Sequence, residues 1–579
     1  MSDEAEFVED LLNYTGPISV DTETISLNDR NCIGVGVAIE GKEFYFPVLP
    51  EPSSHLPVVL GILSDPRRVK VYFNAMFDLR VIDTLARDEN LPRPSSLGVE
   101  DASIMGQVQG RESNELDELS ERYLGYRNPF KIKDLLLSAR DGKKGANMLD
   151  VPMEAVALKN QFDTRQTLQL YEFFKDRWVD EAQRECYTVD LQVLTMLLEM
   201  EEGGLLLDDR KVEEFYEELR RDVLGYERLC DEHGFRPGSP QQVGYVLASR
   251  GNILPFTRGV RRQLRTDEES LEVLDDPLAR VILQYRKVGK LLSTYVVPYR
   301  GRDRAYTHFR IDLATGRLAS GQFGKAHKHV CRNMQNIPNS GQYPMRSIFV
   351  PDSGSFSWMD YSQIEMRVLA NLAHDQNMLA AFERGESIHM LTLNKLWPGV
   401  GKKDSAGNDT WEYLTSKTFN FAMAYYAMDT TLAKHTKLPL QACSEFKALW
   451  LNELFPGCRD FMEARMADPS PVAITEFGRR MKLPTIEEMR EVSENAGNWF
   501  NEKSAQNHIN KCKINYVIQG TAADIMKRGM LMLSGESGVK LQVHDELVVD
   551  GDFQFPDEMS YIHPEFKTPF EVHKGDRWQ

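Results

Sequence analysis

The chain has 579 residues, 42% hydrophobic and 27% charged, the balance of an ordinary globular protein too long for one core, so three or four domains are expected. No run approaches the length needed to cross a bilayer, and the acidic start MSDEAEFVED lacks a signal peptide's basic and apolar regions, which places the protein in a cytoplasm. A net charge of −18 argues, taken over the whole chain, against a phosphate-rich partner, and seven scattered cysteines without CxxC spacing argue against a zinc site or disulfide framework.

Residues 1–180 open with a short helix and then PISVDTETISL, where an apolar strand from Ile18 to Val20 runs into Asp21 and Glu23. Acids at alternate positions share one side of a strand, although a surface strand end reads the same way. A second strand, Val69 to Phe73, leads into NAMFD with Asn74 and Asp78, and a further acid, Asp163, lies in the helical stretch LKNQFDTRQTLQLYEFF. From 181 to 300 the pattern is strongly helical, with Ser239 as an N-cap and Pro240 at the first helical position. Two local clusters run against the acidic total: TRGVRRQLR, with Arg258, Arg261, Arg262 and Arg265, and KAHKHVCR, from Lys325 to Arg332. Each suits either a solvated face or a grip on a duplex backbone, which carries no sequence information.

Residues 355–359 alternate polar and apolar as a half-buried strand, Asp360 follows at its end, and Ile364, Val368 and Leu372 recur at helical spacing. One aspartate cannot hold a hard cation alone. A second acid comes from LQVHDELVVD, read as two short strands turning at His544, Asp545 and Glu546, with a solvated hairpin tip as the alternative. Two strand-borne carboxylates, Asp360 and Asp545, can bracket two Mg2+ ions roughly 4 Å apart for an in-line displacement. Between them Lys417, Phe421 and Tyr425, spaced by four, form a stripe down one helix face. Such a stripe is more often core, but a lysine on a buried face needs an anion such as phosphate. Asn515 and Gln519 are two amides on one helical face.

DYSQIEMR at Asp360–Arg367, KTFNFAMAY at Lys417–Tyr425, QGTAADIMK at Gln519–Lys527 and QVHDE at Gln542–Glu546 resemble, in order and spacing, the signature motifs of family A DNA polymerases. The resemblance runs from Asp21 to Trp578 and leaves out a 5′ nuclease domain. It implies an α/β and α+β multidomain fold: a ribonuclease H-like 3′–5′ exonuclease domain at 1–180, thumb at 181–300, palm at 301–375 and 515–579, and fingers at 376–514. Asp21, Glu23, Asp78 and Asp163, with Asn74 beside them, resemble the metal-binding acids of DEDD exonucleases. The tyrosine expected four residues before the last acid is Lys159, and proofreading is expected to survive with altered pH dependence.

The same resemblance implies Asp360, Asp545, Glu546 and Lys417 as catalytic residues. It implies His389, Gln363, Glu365, Phe421, Tyr425 and Tyr361 for nucleotide binding, with Glu365 blocking a ribose 2′-hydroxyl and phenylalanine at 421 implying discrimination against dideoxynucleotides. Arg317, Asn333, Gln335, Asn515, Gln519 and His544 are implied at DNA, together with Arg258, Arg261 and Arg262. Tyr413 stands where the family has an arginine for the outer phosphates, and Lys402 or Lys403 is a candidate replacement. Tyr426 stands where it has a glycine.

The expected enzyme is a template-directed DNA polymerase with a proofreading exonuclease, using Mg2+ (two ions per site) or Mn2+, as a monomer acting on primer-template DNA and deoxynucleoside triphosphates, with replisome or processivity proteins as further partners. The short tail after Gly551 and the missing 5′ nuclease are expected of a bacteriophage replicative enzyme in a host cytoplasm. The alternatives are a DNA-binding exonuclease and a non-catalytic primer-template binding protein. Asp360, Asp545, Lys417 and His389 together argue against both, since a binder would find clustered acids repulsive to phosphate without metal.

Overall fold

The computed structural model describes residues 3–26, 29–111, 113, 115–139, 146–257, 262–321, 332–339, 341–405, 407–496, 499–535 and 538–578. Near the amino end, alternating valine and isoleucine build a five-stranded sheet in the order Lys42–Pro47, Asp29–Ile39, Ile18–Ser26, Lys70–Tyr72, Val99–Asp101. The first three strands are antiparallel and the last two join parallel, the mixed arrangement expected of a ribonuclease H-like unit. The Ile18 strand continues to Ser26, so Asp21 and Glu23 lie within the central strand rather than at its end. The Met153–Phe174 helix packs across it and brings Asp163 over the same face.

A second sheet, wholly antiparallel, runs in the order Val539–Val543, Glu546–Asp550, Phe356–Tyr361, Phe570–Gly575. The last strand of the chain's described part, Phe570–Gly575, therefore lies directly beside the one that carries Asp360. Phe356, Met359, Leu547 and Val548 are fully buried and anchor this sheet on the main core.

The segment expected as thumb divides. Glu181–Gly203 is a helix tied to the amino-terminal unit through a buried ion pair from Arg80 to Glu201 at 2.5 Å, and Leu205–Leu207 is the middle strand of a small sheet with Phe349–Val350 and Arg304–Ala305. The rest packs the Asp209–Asp231 and Pro277–Leu291 helices together, with a separate small core around Phe235, Leu247, Leu271 and Ile282. Ser239 caps Pro240–Ser249 as the sequence predicts, its side chain accepting from the backbone of Gln242.

The expected boundary between 514 and 515 falls inside one 30-residue helix, Glu502–Leu531, about 45 Å long at 1.5 Å per residue. A buried ionic cluster fastens that helix. Arg479, 2% exposed, reaches Asp190 at 2.7 Å and Asp524 at 2.7 Å, and Lys527 reaches Asp190 at 2.7 Å. Two cations face two carboxylates, so the cluster is neutral and can be buried. The described cysteines are all buried and unpaired. No described helix is long and apolar enough to cross a membrane.

Candidate active sites

Asp360 and Asp545 meet because two paired strands deliver them to one end of the second sheet. Asp360 lies opposite Glu546 in the antiparallel register, and the Tyr361 N–H donates to the Asp545 carbonyl across 3.0 Å. Strand alternation sends Asp360 toward solvent and buries its neighbours Met359 and Tyr361. Burial first, then Asp545, Glu546 and Glu571 nearby, push the Asp360 carboxyl up to about 7. Burial also raises the Asp545 carboxyl, with Arg317 opposing. Like charges that resist joint ionisation in a half-buried cleft, offering only oxygen donors, suit a divalent cation.

The tip residues have separate fates. His544 takes a left-handed φ of 54° at the turn and is exposed. Glu546 begins the returning strand, and its carboxylate accepts from the Trp578 indole N–H at 2.5 Å and pairs with Arg346 at 3.0 Å. Arg346 in turn stacks over Trp578, 4.2 Å from the ring centre. The Glu546 oxygens are thus engaged in holding the carboxyl end of the chain, which no local pattern announces. Tyr361, expected at the nucleotide, is 2% exposed and donates its hydroxyl to the Met559 carbonyl at 3.0 Å; the pleat that exposes Asp360 turns it into the core.

The Trp411–Ala424 helix starts at Thr410, whose hydroxyl caps the Tyr413 N–H. It buries Tyr413, Phe419, Asn420 and Met423 and leaves Lys417 exposed, with Phe421 and Tyr425 half-buried beyond it. The stripe therefore lies on the open face, and the expectation of a buried lysine is corrected: Lys417 has little desolvation to offset. His389 is buried against Phe421, ring centres 5.4 Å apart. Burial, then Lys417 and Lys402, hold its imidazole down to about 4, so it is neutral near pH 7. Lys402 lies 5.0 Å from the centre of the Tyr413 ring, whereas Lys403 pairs with Asp409 at 3.0 Å. Of the two candidates for the missing arginine, Lys402 is the one whose charge reaches His389.

Asn420, unnoticed in the sequence, fixes the tautomer of His389. Its Oδ1 accepts from the Trp450 indole N–H at 2.8 Å and from the Thr392 hydroxyl at 2.8 Å, so its amide nitrogen faces His389 Nδ1 at 3.0 Å. An indole nitrogen can only donate, which orients the amide and leaves the imidazole proton on Nε2.

Glu365, 6% exposed, pairs with Arg317 and accepts from the Tyr425 hydroxyl, joining the Ile364–Leu372 helix to the end of the Trp411–Ala424 helix. Gln519 also bonds Tyr425, and Arg317, expected at DNA, is committed to Glu365. Gln335 is 8% exposed, accepts from the Ser320 N–H at 3.1 Å and donates to Gln542 at 3.0 Å, so its amide braces the strand that leads into the His544–Asp545 turn. Asn333 accepts from the backbone of Asn336 at 3.1 Å. Gln363, at a left-handed φ of 54°, and Asn515 each hold a buried oxygen without a partner. Arg262 is exposed; Arg258 and Arg261 lie outside the described residues, as does all of the second basic cluster but Arg332. Tyr426 adopts φ 50° just past the Trp411–Ala424 helix, the conformation a glycine takes most readily.

In the amino-terminal unit, oxygens of Asp21, Glu23 and Asp163 lie within 4.8 Å of one another. Asp78 is turned onto Thr22, accepting from its N–H at 2.9 Å and its hydroxyl at 2.7 Å. Burial first, then Asp78, raise the Asp21 carboxyl well above its usual range, and burial chiefly pushes Asp78 up to about 7. Asn160 donates to Asp21 at 2.6 Å and Asn128 to Asp163 at 2.7 Å. Gly36 makes room for Asn160, since a Cβ there would sit 1.5 Å from its amide oxygen. Asn74, exposed at a left-handed φ of 73°, precedes the helix that carries Asp78. Lys159 bridges Glu23 and Asp163, 2.6 Å from each.

A sheet-borne acid pair beneath a helix bearing a lysine and two aromatics, joined to a second acidic centre on its own sheet, is the architecture of a polymerase hand with an attached exonuclease unit. The chain belongs to DNA polymerase family A: residues 209–565 match that family and residues 1–177 match the 3′–5′ exonuclease family. It is 28% identical over 572 residues to DNA polymerase I of Pseudomonas aeruginosa, covering 92% of this chain and 59% of that protein. To DNA polymerase I of Geobacillus stearothermophilus it is 30% identical over 435 residues, 69% of this chain and 46% of the relative. The chain thus spans about half to three-fifths of these relatives' length. The fold is similar to the POL domain of Pol1 from M. smegmatis, solved in complex with DNA primer-template and dNTP, with a TM-score of 0.75 at 21% identity and coverage of 99% and 98% of the two chains.

Proposed function

We propose that the chain extends a primer on a DNA template with deoxynucleoside triphosphates at the Asp360–Asp545 centre and trims mispaired 3′ ends at the Asp21–Glu23–Asp163 centre. The observation that supports this most is the strand register that sets Asp360 and Asp545 at one sheet end beneath the Lys417–Phe421–Tyr425 face. Two Mg2+ ions are the proposed cofactor, held by Asp360 and Asp545; when bound they supply Lewis acidity to the attacking hydroxyl and the departing pyrophosphate.

The chain's own groups do the rest. Lys417, His389 and Lys402 receive the triphosphate, with the His389 Nε2 proton as a neutral donor and the two lysines as charges. Phe421 and Tyr425 form the floor under sugar and base. Glu365, fixed by Arg317 and Tyr425, closes the space a ribose 2′-hydroxyl needs. Gln363, Asn515 and Gln519 offer amides to base pair and template, with His544 at the primer end and Arg262 on the duplex backbone. The proposed working form is a monomer that meets DNA through the arginine cluster of the thumb, at 258–265, and an acidic, metal-loaded cleft.

Primer extension with Mg2+ and four deoxynucleotides tests the reading. Elongation that Asp545→Asn abolishes supports it. Shortening alone would leave an exonuclease, and a gel shift with neither would leave a binding protein.

A further inference from the structure

The exonuclease centre contains a cation of its own. Lys159 is 8% exposed, and its Nζ lies 2.6 Å from Glu23 Oε1 and 2.6 Å from Asp163 Oδ2. These two acids belong, with Asp21, to the group of carboxylates close enough to share one ion. The lysine cannot easily leave. It rises from the same helix as Asp163, four residues earlier, and the Asn128 amide clamps both the Lys159 carbonyl at 2.9 Å and the Asp163 side chain at 2.7 Å. Held 2.6 Å from two carboxylates, the amine is paired on both sides as an ammonium donor.

The four acids carry more negative charge than one ammonium balances. Asp21 is crowded chiefly by Asp78, not by the pair that Lys159 bridges. The donor set therefore still fits a divalent ion around Asp21, while a second ion seeking Glu23 and Asp163 meets a positive charge already in place.

We propose that Lys159 acts as a resident cation of the exonuclease centre, occupying the position between Glu23 and Asp163 so that the centre takes up one divalent ion where an uncharged residue at 159 would allow two. Asn128 is the positioning residue that keeps the ammonium there. The centre consequently stays assembled without metal, since its most crowded acids are bridged from within.

The inference rests on reading this centre as the exonuclease site, but metal uptake tests it without reference to activity. The full chain carrying Asp360→Asn and Asp545→Asn, which removes the acids of the other centre, is titrated with Mn2+ while free ion is followed by electron paramagnetic resonance. One bound ion per chain is expected. Adding Lys159→Gln should bring a second, or tighten the first at least tenfold, and should steepen the rise of thermal stability with Mn2+. Lys159→Tyr, bulky and neutral, gives the same readout should the glutamine variant fail to fold. Equal ion counts and affinities with lysine, glutamine and tyrosine at 159 would overturn the proposal. Altered uptake without any nuclease activity would sink the exonuclease reading and leave the resident cation standing.

Discussion

Asn420 donates to Nδ1 of His389 across 3.0 Å, and that bond decides which imidazole nitrogen carries the proton. With the ring held down to about 4, the folded state resists protonation and the unfolded state accepts it first as pH falls. The stability contributed by this histidine is therefore complete above about 6.5 and lost as pH drops toward 4. The imidazole resonance of His389, assigned by its loss in His389→Gln, should show no inflection near 6.5 in the folded protein. Asn420→Leu, which strands the Trp450 and Thr392 donors, should cost about 1–3 kcal/mol in a denaturant titration and raise KM for nucleotide.

Asp360 behaves in the opposite sense. Its carboxyl, pushed up to about 7, keeps its proton in the metal-free fold after the unfolded chain has lost it. Its contribution to stability is present below about 4 and disappears as pH rises through 7. In chelator, Asp360→Asn should flatten this part of the stability profile between pH 5 and 8. With metal, the same variant should lose nucleotide addition by roughly 10³-fold, the scale of several kcal/mol of charge stabilisation. Full activity in Asp360→Asn would remove the basis of the polymerase reading.

Lys402 and Lys403 are adjacent, yet only Lys402 acts electrostatically on His389, while Lys403 is paired with Asp409. Lys402→Ala should raise KM for deoxynucleoside triphosphates about tenfold, the scale of a charge-assisted hydrogen bond. Lys403→Ala, which breaks only an exposed pair with Asp409, should leave KM within about twofold. Steady-state kinetics on one primer-template separates the two.

The buried Asp190 carboxylate compensates both Arg479 and Lys527. Asp190→Ala leaves Lys527 buried without its carboxylate and Arg479 with Asp524 alone, and should destabilise the protein by about 3–5 kcal/mol. A calorimetric scan that showed no change would mean that solvent reaches the cluster.

The sequence announced what repeats locally. An acid placed between a strand pattern and a helix pattern located Asp360, alternation flanking HDE located Asp545, and spacing of four located the Lys417 stripe. It was mute where a contact joins distant segments. Arg479 and Asp190 lie 289 positions apart, and neither looks unlike a surface charge. The 514/515 boundary was drawn where motifs change, yet helix propensity continues unbroken through both sides. The resemblance implies Gln335 and Arg317 at DNA, and nothing in the local sequence points to the partners they have here, Gln542 and Glu365. Tyr426 stands where the resemblance implies a glycine, and its positive φ is a conformation that glycine adopts most readily.

The strand that borders Asp360 on its far side begins at Phe570, and the indole that steadies Glu546 is residue 578. During synthesis, Asp360 and Asp545 have emerged from the ribosome before either support exists, and a nascent chain stalled just after Asp545 holds both acids without the frame that aligns them.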